Sequence, residues 1–110
     1  MGITKTDLFT AEQNELALLA KVLGHPARIA ILQHLMASKS CINTDLVQEL
    51  GLAQPTVSQH LRELKDLGLI QGSIEGTRLN YCIHTEKWME VKSKFNSFFA
   101  QWDAPTACCS

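Results

Sequence analysis

No stretch of the 110 residues runs to 18 apolar positions, so no membrane span is expected. The first residues, Met1-Gly2-Ile3-Thr4-Lys5-Thr6-Asp7, lack the apolar centre of a secretory leader, and a cytoplasmic protein is the expectation. Positive charge is not in excess. Ten Lys and Arg face eleven Asp and Glu, a net charge of -1, so any nucleic-acid footprint has to come from local placement. Cysteine is sparse. Cys41, Cys82, Cys108 and Cys109 form no regular secreted framework, which points to free thiols, ligands or sensors in a reducing compartment. Internal repeats and low-complexity tracts are missing. A chain of 110 residues is one domain, with a modest core but no room for an enzyme cleft beside a cofactor domain. With 45% hydrophobic and 19% charged residues, wholesale disorder is excluded.

Periodicity organises what is present. Residues 1–10 read as a loose arm. Thr10 caps a helix with apolar positions Leu16, Leu19, Ala20 and Leu23, closed by Gly24. Pro26, at the tolerated first position, opens a second helix with Ile29, Ile31, Leu32, Leu35 and Met36, ending in Ser38-Lys39-Ser40. Asn43 or Thr44 can cap a short third helix with core positions Leu46, Val47 and Leu50, stopped by Gly51. A further helix starts at Gln54-Pro55, with Val57, Leu61 and Leu64 on one side and Pro55, Gln59, Arg62 and Asp66 on the other; Gly68 ends it.

The period then changes to two. Ile70, Gly72 and Ile74 alternate with polar residues, Glu75-Gly76-Thr77 turns, and Leu79, Tyr81 and Ile83 alternate again, which describes a hairpin with one buried face. A last helix from about Glu86 to Gln101 carries an apolar stripe of Trp88, Val91, Phe95, Phe98, Phe99 and Trp102, and a short tail follows. The expected fold is mainly α with a small β-hairpin wing: a winged helix-turn-helix over residues 11–101, with an arm at 1–10 and a tail at 102–110.

The stretches Leu19-Ala20-Lys21-Val22-Leu23-Gly24-His25-Pro26-Ala27-Arg28 and Gln54-Pro55-Thr56-Val57-Ser58-Gln59-His60-Leu61 resemble the ArsR/SmtB family of small bacterial transcriptional repressors. Leu64 to Ile70 and the hairpin through Tyr81 continue the likeness, over roughly residues 11–101. The resemblance implies a homodimer that binds double-stranded operator DNA and releases it when an effector binds or a thiol is oxidised. It also implies that the first and last helices form the dimer, through Leu16, Leu19, Phe95, Phe98, Phe99 and Trp102.

A reading helix presents its N-terminal half to base edges. Here that half carries Gln54, Thr56, Ser58, Gln59, His60 and Arg62, while Thr77 and Arg78 flank the wing turn. Gln can bond adenine, Arg can fork to guanine, and hydroxyls serve phosphates or bases. His60 lies at the border of the apolar face, where a phosphate contact and a structural role are both open. Arg28 is expected to pack within the fold.

The effector is less defined. The last helix has no His between Glu86 and Gln101, unlike family members that bind metal there. Arsenic sensors of the family pair cysteines at the motif's first helix, where this chain has only Cys41. Ser40-Cys41-Ile42 can form a short strand beside the returning wing strand, which makes Cys41 and Cys82 cross-strand neighbours. That dithiol can oxidise or grip a thiophilic metal or metalloid ion, with His84 or Cys108-Cys109 completing the shell. Two other readings stay open at this point: a winged-helix protein-interaction module without DNA readout, and a thiol enzyme, which lacks any oxyanion or cofactor motif.

Overall fold

The structure is a computed structural model that describes residues 8–38, 42–43, 48, 50–75 and 78–103. Helix α1, Ala11–Leu23, begins at a capping box. The Thr10 hydroxyl accepts from the Gln13 amide at 3.0 Å, and the Gln13 side chain accepts from the Thr10 amide at 2.9 Å. It ends at Gly24. Helix α2, Pro26–Ser38, follows at once, with the His25 ring accepting from the Ala27 amide at 3.2 Å. Strand β1 is only Ile42–Asn43. Gln48 and Leu50 are helical, and Gly51 turns the chain at φ +67°, a conformation that suits glycine. Helix α3 spans Gln54–Asp66 with Pro55 in its first turn.

Two strands, β2 (Ile70–Glu75) and β3 (Arg78–Ile83), pair antiparallel from Ile70 opposite Ile83 to Glu75 opposite Arg78. The hairpin is part of a three-stranded sheet, because β1 pairs with the other edge of β3 in the order β1-β3-β2. Helix α4, Thr85–Ala100, starts where the His84 ring accepts from the Lys87 amide at 3.1 Å.

Leucines and isoleucines from α1, α2 and α3 meet the sheet in one core. Leu19, Ile31, Leu32, Leu35, Val57, Leu61, Leu64, Leu69, Ile70, Tyr81 and Val91 are buried there, with Leu50, Ile83, Trp88 and Phe95 packed against them. This burial holds α3 by one side only.

Three details differ from the periodic reading. Asn43 lies in β1 opposite Asn80 rather than at a helix start, and Thr44, Leu46 and Val47 lie outside the described residues. Ala20, expected on the buried side of α1, is exposed, and Val22 packs against the core instead. On α2, Ile31, Leu32 and Leu35 fill the core while Ile29 and Met36 face outward, because α2 is apolar on more than one side. Residues 1–7 of the expected arm and 104–110 of the expected tail lie outside the described residues, as do Gly76 and Thr77 of the turn.

Candidate nucleic-acid interface

Val57, Leu61 and Leu64, spaced four and three apart, are all fully buried and fix α3 against the core. The same spacing turns Pro55, Thr56, Gln59, Arg62 and Asp66 outward, where all five are exposed; Gln54 and Ser58 are half-buried beside them. Ala53 supplies no side-chain cap to α3, so the helix presents its first turn without a competing side-chain acceptor.

The outward residues are ordered by one another. The Arg62 guanidinium donates through Nη1 to the Gln59 amide oxygen at 3.3 Å. Gln59 donates through Nε2 to Glu63 at 3.1 Å. Glu63 in turn forms an ion pair with Arg28 of α2. A carboxylate one residue from Arg62 would otherwise set negative charge against an incoming phosphate. Arg28 neutralises it from beneath. Lys65 donates to the Gly72 carbonyl at 2.7 Å, which ties α3 to the first wing strand.

Arg28 has further partners. Its Nε donates to His60 Nδ1 at 3.2 Å, and its Nη1 donates to the Val22 carbonyl at the end of α1 at 3.1 Å. The His60 ring lies 4.5 Å from that of His25. Burial pushes the His60 pKa below its usual 6.5, and the neighbouring His25 and Arg28 lower it further. His60, for which a phosphate contact and a structural role were both expected, is 8% exposed with its Nδ1 accepting from Arg28, at the junction between α1, α2 and α3. The role of Lys65 and the contact with His25 were not legible beforehand; neither follows from helical periodicity. Tyr81 is buried beneath this surface, and desolvation raises its phenol pKa, partly offset by Arg62.

Arg78 stands opposite Glu75 in the hairpin register, while Thr77 lies outside the described residues. Cys82, on the same strand, is half-buried and disulfide-bonded. Cys41, Cys108 and Cys109 lie outside the described residues. His84, expected beside the cysteines as a ligand, serves as the cap of α4. Among the described residues, no three His, Cys, Asp or Glu side chains cluster to hold a metal ion.

The expected dimer residues divide. Leu19 is 2% exposed within the chain's own core, so it has no surface left for a partner. Leu16 is half-buried and Phe95 packs against the core. Phe98, Phe99 (70% exposed) and Trp102 (69% exposed) stand open at the end of α4, with the Phe98 and Phe99 rings edge to face at 5.3 Å. Leu18 and Met89, which the periodic reading omitted, are also exposed. Lys94 of α4 pairs with Glu15 of α1, so the two helices that carry this surface are tied together. No helix among the described residues is long and apolar enough to cross a membrane.

Comparison with known proteins places this geometry. A family profile described as "Bacterial regulatory protein, arsR family" matches residues 25–71. The HTH-type transcriptional repressor SmtB of Mycobacterium tuberculosis is 41% identical over 63 residues, covering 57% of this chain and 46% of the relative. The match thus spans under half the length of that relative. The HTH-type transcriptional regulator YgaV of Escherichia coli is 32% identical over 84 residues, covering 76% of this chain and 85% of the relative. Among solved structures, the transcriptional repressor BigR from Xylella fastidiosa superposes with a TM-score of 0.59 at 27% identity, covering 93% of this chain and all of that one.

Proposed function

Because this chain belongs to the ArsR family of bacterial regulatory proteins, we propose that it is a sequence-specific transcriptional repressor that binds double-stranded operator DNA as a homodimer. The observation that carries this reading is α3: its apolar side is fully buried, and its opposite side holds Gln59 and Arg62 exposed and mutually ordered. Such a helix can lie in a major groove with its N-terminal half against base edges. Arg62 then forks to a guanine and Gln59 bonds an adenine, while Thr56 and Ser58 serve phosphates. Arg78 of the wing follows the adjacent backbone. The family consists of regulators, and the reading assigns no catalytic group. It places the protein in the cytoplasm with its DNA.

The exposed residues at the end of α4 supply the dimer contact, and a two-fold axis then sets two reading helices about 34 Å apart, one turn of duplex. The test is a gel shift of the full chain on duplex from upstream of its own coding sequence, at stated salt. Arg62→Ala is expected to lower specific affinity by about 5- to 150-fold, corresponding to roughly 1–3 kcal/mol for one base contact. A specific shift unaffected by Arg62→Ala and Gln59→Ala together would show that α3 does not read the bases. Absence of any shift with the dimer intact would favour the protein-interaction module, which the near-neutral charge also suits.

A further inference from the structure

We propose that the proton state of His60 governs base reading: the neutral ring holds Arg28 in place, and a protonated ring displaces the chain of side chains from Arg28 through Glu63 and Gln59 to Arg62. This rests on the proposed DNA role, as regulation of that same site. The hydrogen bonds define the starting state. Arg28 donates through Nε to His60 Nδ1 at 3.2 Å, and the Ala27 amide donates to His25 Nδ1 at 3.2 Å. An imidazole nitrogen accepts only while it carries no proton, so both rings stand neutral with their protons on Nε2. They lie 4.5 Å apart.

A proton taken up at His60 Nδ1 removes the acceptor that Arg28 faces and sets two cations against each other. Arg28 serves three partners through one planar guanidinium: His60, the Val22 carbonyl of α1 and Glu63. A rigid fork cannot turn from His60 and keep its alignment with Glu63. Glu63 also accepts from Gln59 at 3.1 Å, and Gln59 accepts from Arg62 at 3.3 Å, so a displaced carboxylate disturbs both reading side chains.

Among the described residues, His25 and Arg28 are the charged or titratable groups that act on the His60 ring, and both oppose its protonation, as does burial. Lys21 of α1 and Asp66 of α3 line the groove that Arg28 and Glu63 share. The added proton sits on a buried ring, whereas the carboxylate it releases is half-exposed beside Arg62. Acid therefore weakens specific binding here. That is the reverse of the ordinary effect, in which extra positive charge strengthens attachment to phosphate.

The experiment measures binding of the full chain to its upstream duplex and to a scrambled duplex of equal length, from pH 7.5 to pH 5.5 at fixed salt. Circular dichroism confirms the fold at each pH. The ratio of the two affinities should hold steady above about pH 6.5 and fall as His60 takes up its proton, by at most about tenfold per pH unit, the slope of one proton. His60→Asn puts a non-titrating acceptor near the position of Nδ1 and should keep the pH 7.5 ratio while losing the fall. By reciprocity, DNA must lower the His60 pKa, which ring NMR signals of the native chain report with and without duplex. A ratio that stays flat or rises on acidification, a fall that persists in His60→Asn, or a His60 pKa that DNA leaves unchanged or raises would each overturn the proposal. If no duplex is bound specifically at any pH, the proposed function fails separately. The Gln59 amide and Arg62 Nε signals of the free chain then decide the proton linkage, which stands if they shift with the His60 midpoint and falls if they do not.

Discussion

At the scale of single residues, Arg28 connects three helices. It donates to the end of α1 at Val22 and to His60, and it pairs with Glu63 beside the reading face. Its removal therefore has two effects. Arg28→Ala leaves the part-buried groups at His60 and Glu63 without their donor, which should destabilise the fold by about 2 kcal/mol in urea unfolding. It also exposes the Glu63 charge to phosphate, so DNA affinity should fall even at temperatures where the variant is folded. Arg28→Lys should restore the charge but only part of the stability, because one ammonium cannot serve three directions. His60 adds a pH dependence. Its folded pKa lies below 6.5, so at intermediate pH the unfolded chain binds the extra proton and stability rises with pH. This contribution is complete above about pH 6.5 and is lost as pH falls from there towards the folded value. The charges facing the ring are His25 and Arg28, both of which disfavour protonation. Unfolding midpoints measured from pH 7.5 to pH 5 should decline, and His60→Gln should flatten the decline; an unchanged slope in that variant would assign the acid sensitivity elsewhere.

At the scale of elements, the wing depends on one backbone approach. Gly72 in β2 has φ +145°, and a Cβ there would come within 2.8 Å of the Tyr81 Cα and closer still to the Asn80 carbonyl. Both obstacles are backbone, so neither can step aside. Gly72→Ala should cost about 2 kcal/mol in chemical unfolding and should broaden the NMR signals of β2 and β3 more than those of α1. The same region shows what the sequence made legible. The extents of α1 and α3 followed from caps and stop residues: Thr10, Gly24, Pro55 and Gly68 are short-range signals that need no tertiary knowledge. The outward set on α3 followed from a 3.6-residue period with one buried side. His60 did not, because it sits at the border of that side and only the spatial arrival of Arg28, 32 positions away in sequence, decides its direction. Leu19 was readable as apolar but not as core rather than interface, since both environments ask for the same side chain. Asn43 is a good cap by type, yet pairing with β3, a long-range contact, claims its backbone.

At the scale of the whole molecule, the chain is extended. Its radius of gyration is 17.1 Å and its principal extents are 54 × 42 × 26 Å, whereas a compact chain of this size has a radius of roughly 13 Å. At and just beyond the end of α4, Phe98, Phe99 and Trp102 are large apolar groups left exposed among the described residues. A helix that ends in exposed aromatic rings suits a second copy better than a monomer in water. Because these rings contribute little to the chain's own core, their replacement separates association from folding. Phe99→Glu with Trp102→Glu should leave the helical circular-dichroism signal and the thermal transition cooperative, while sedimentation shifts from dimer to monomer. DNA binding should weaken by about a hundredfold or more, since each reading helix loses the effective concentration that its twin provides at the second half-site. A variant that stays dimeric would place the two-fold contact elsewhere on α1 or α4. One that becomes monomeric yet binds a full-length site as tightly as before would show that each copy reads DNA alone.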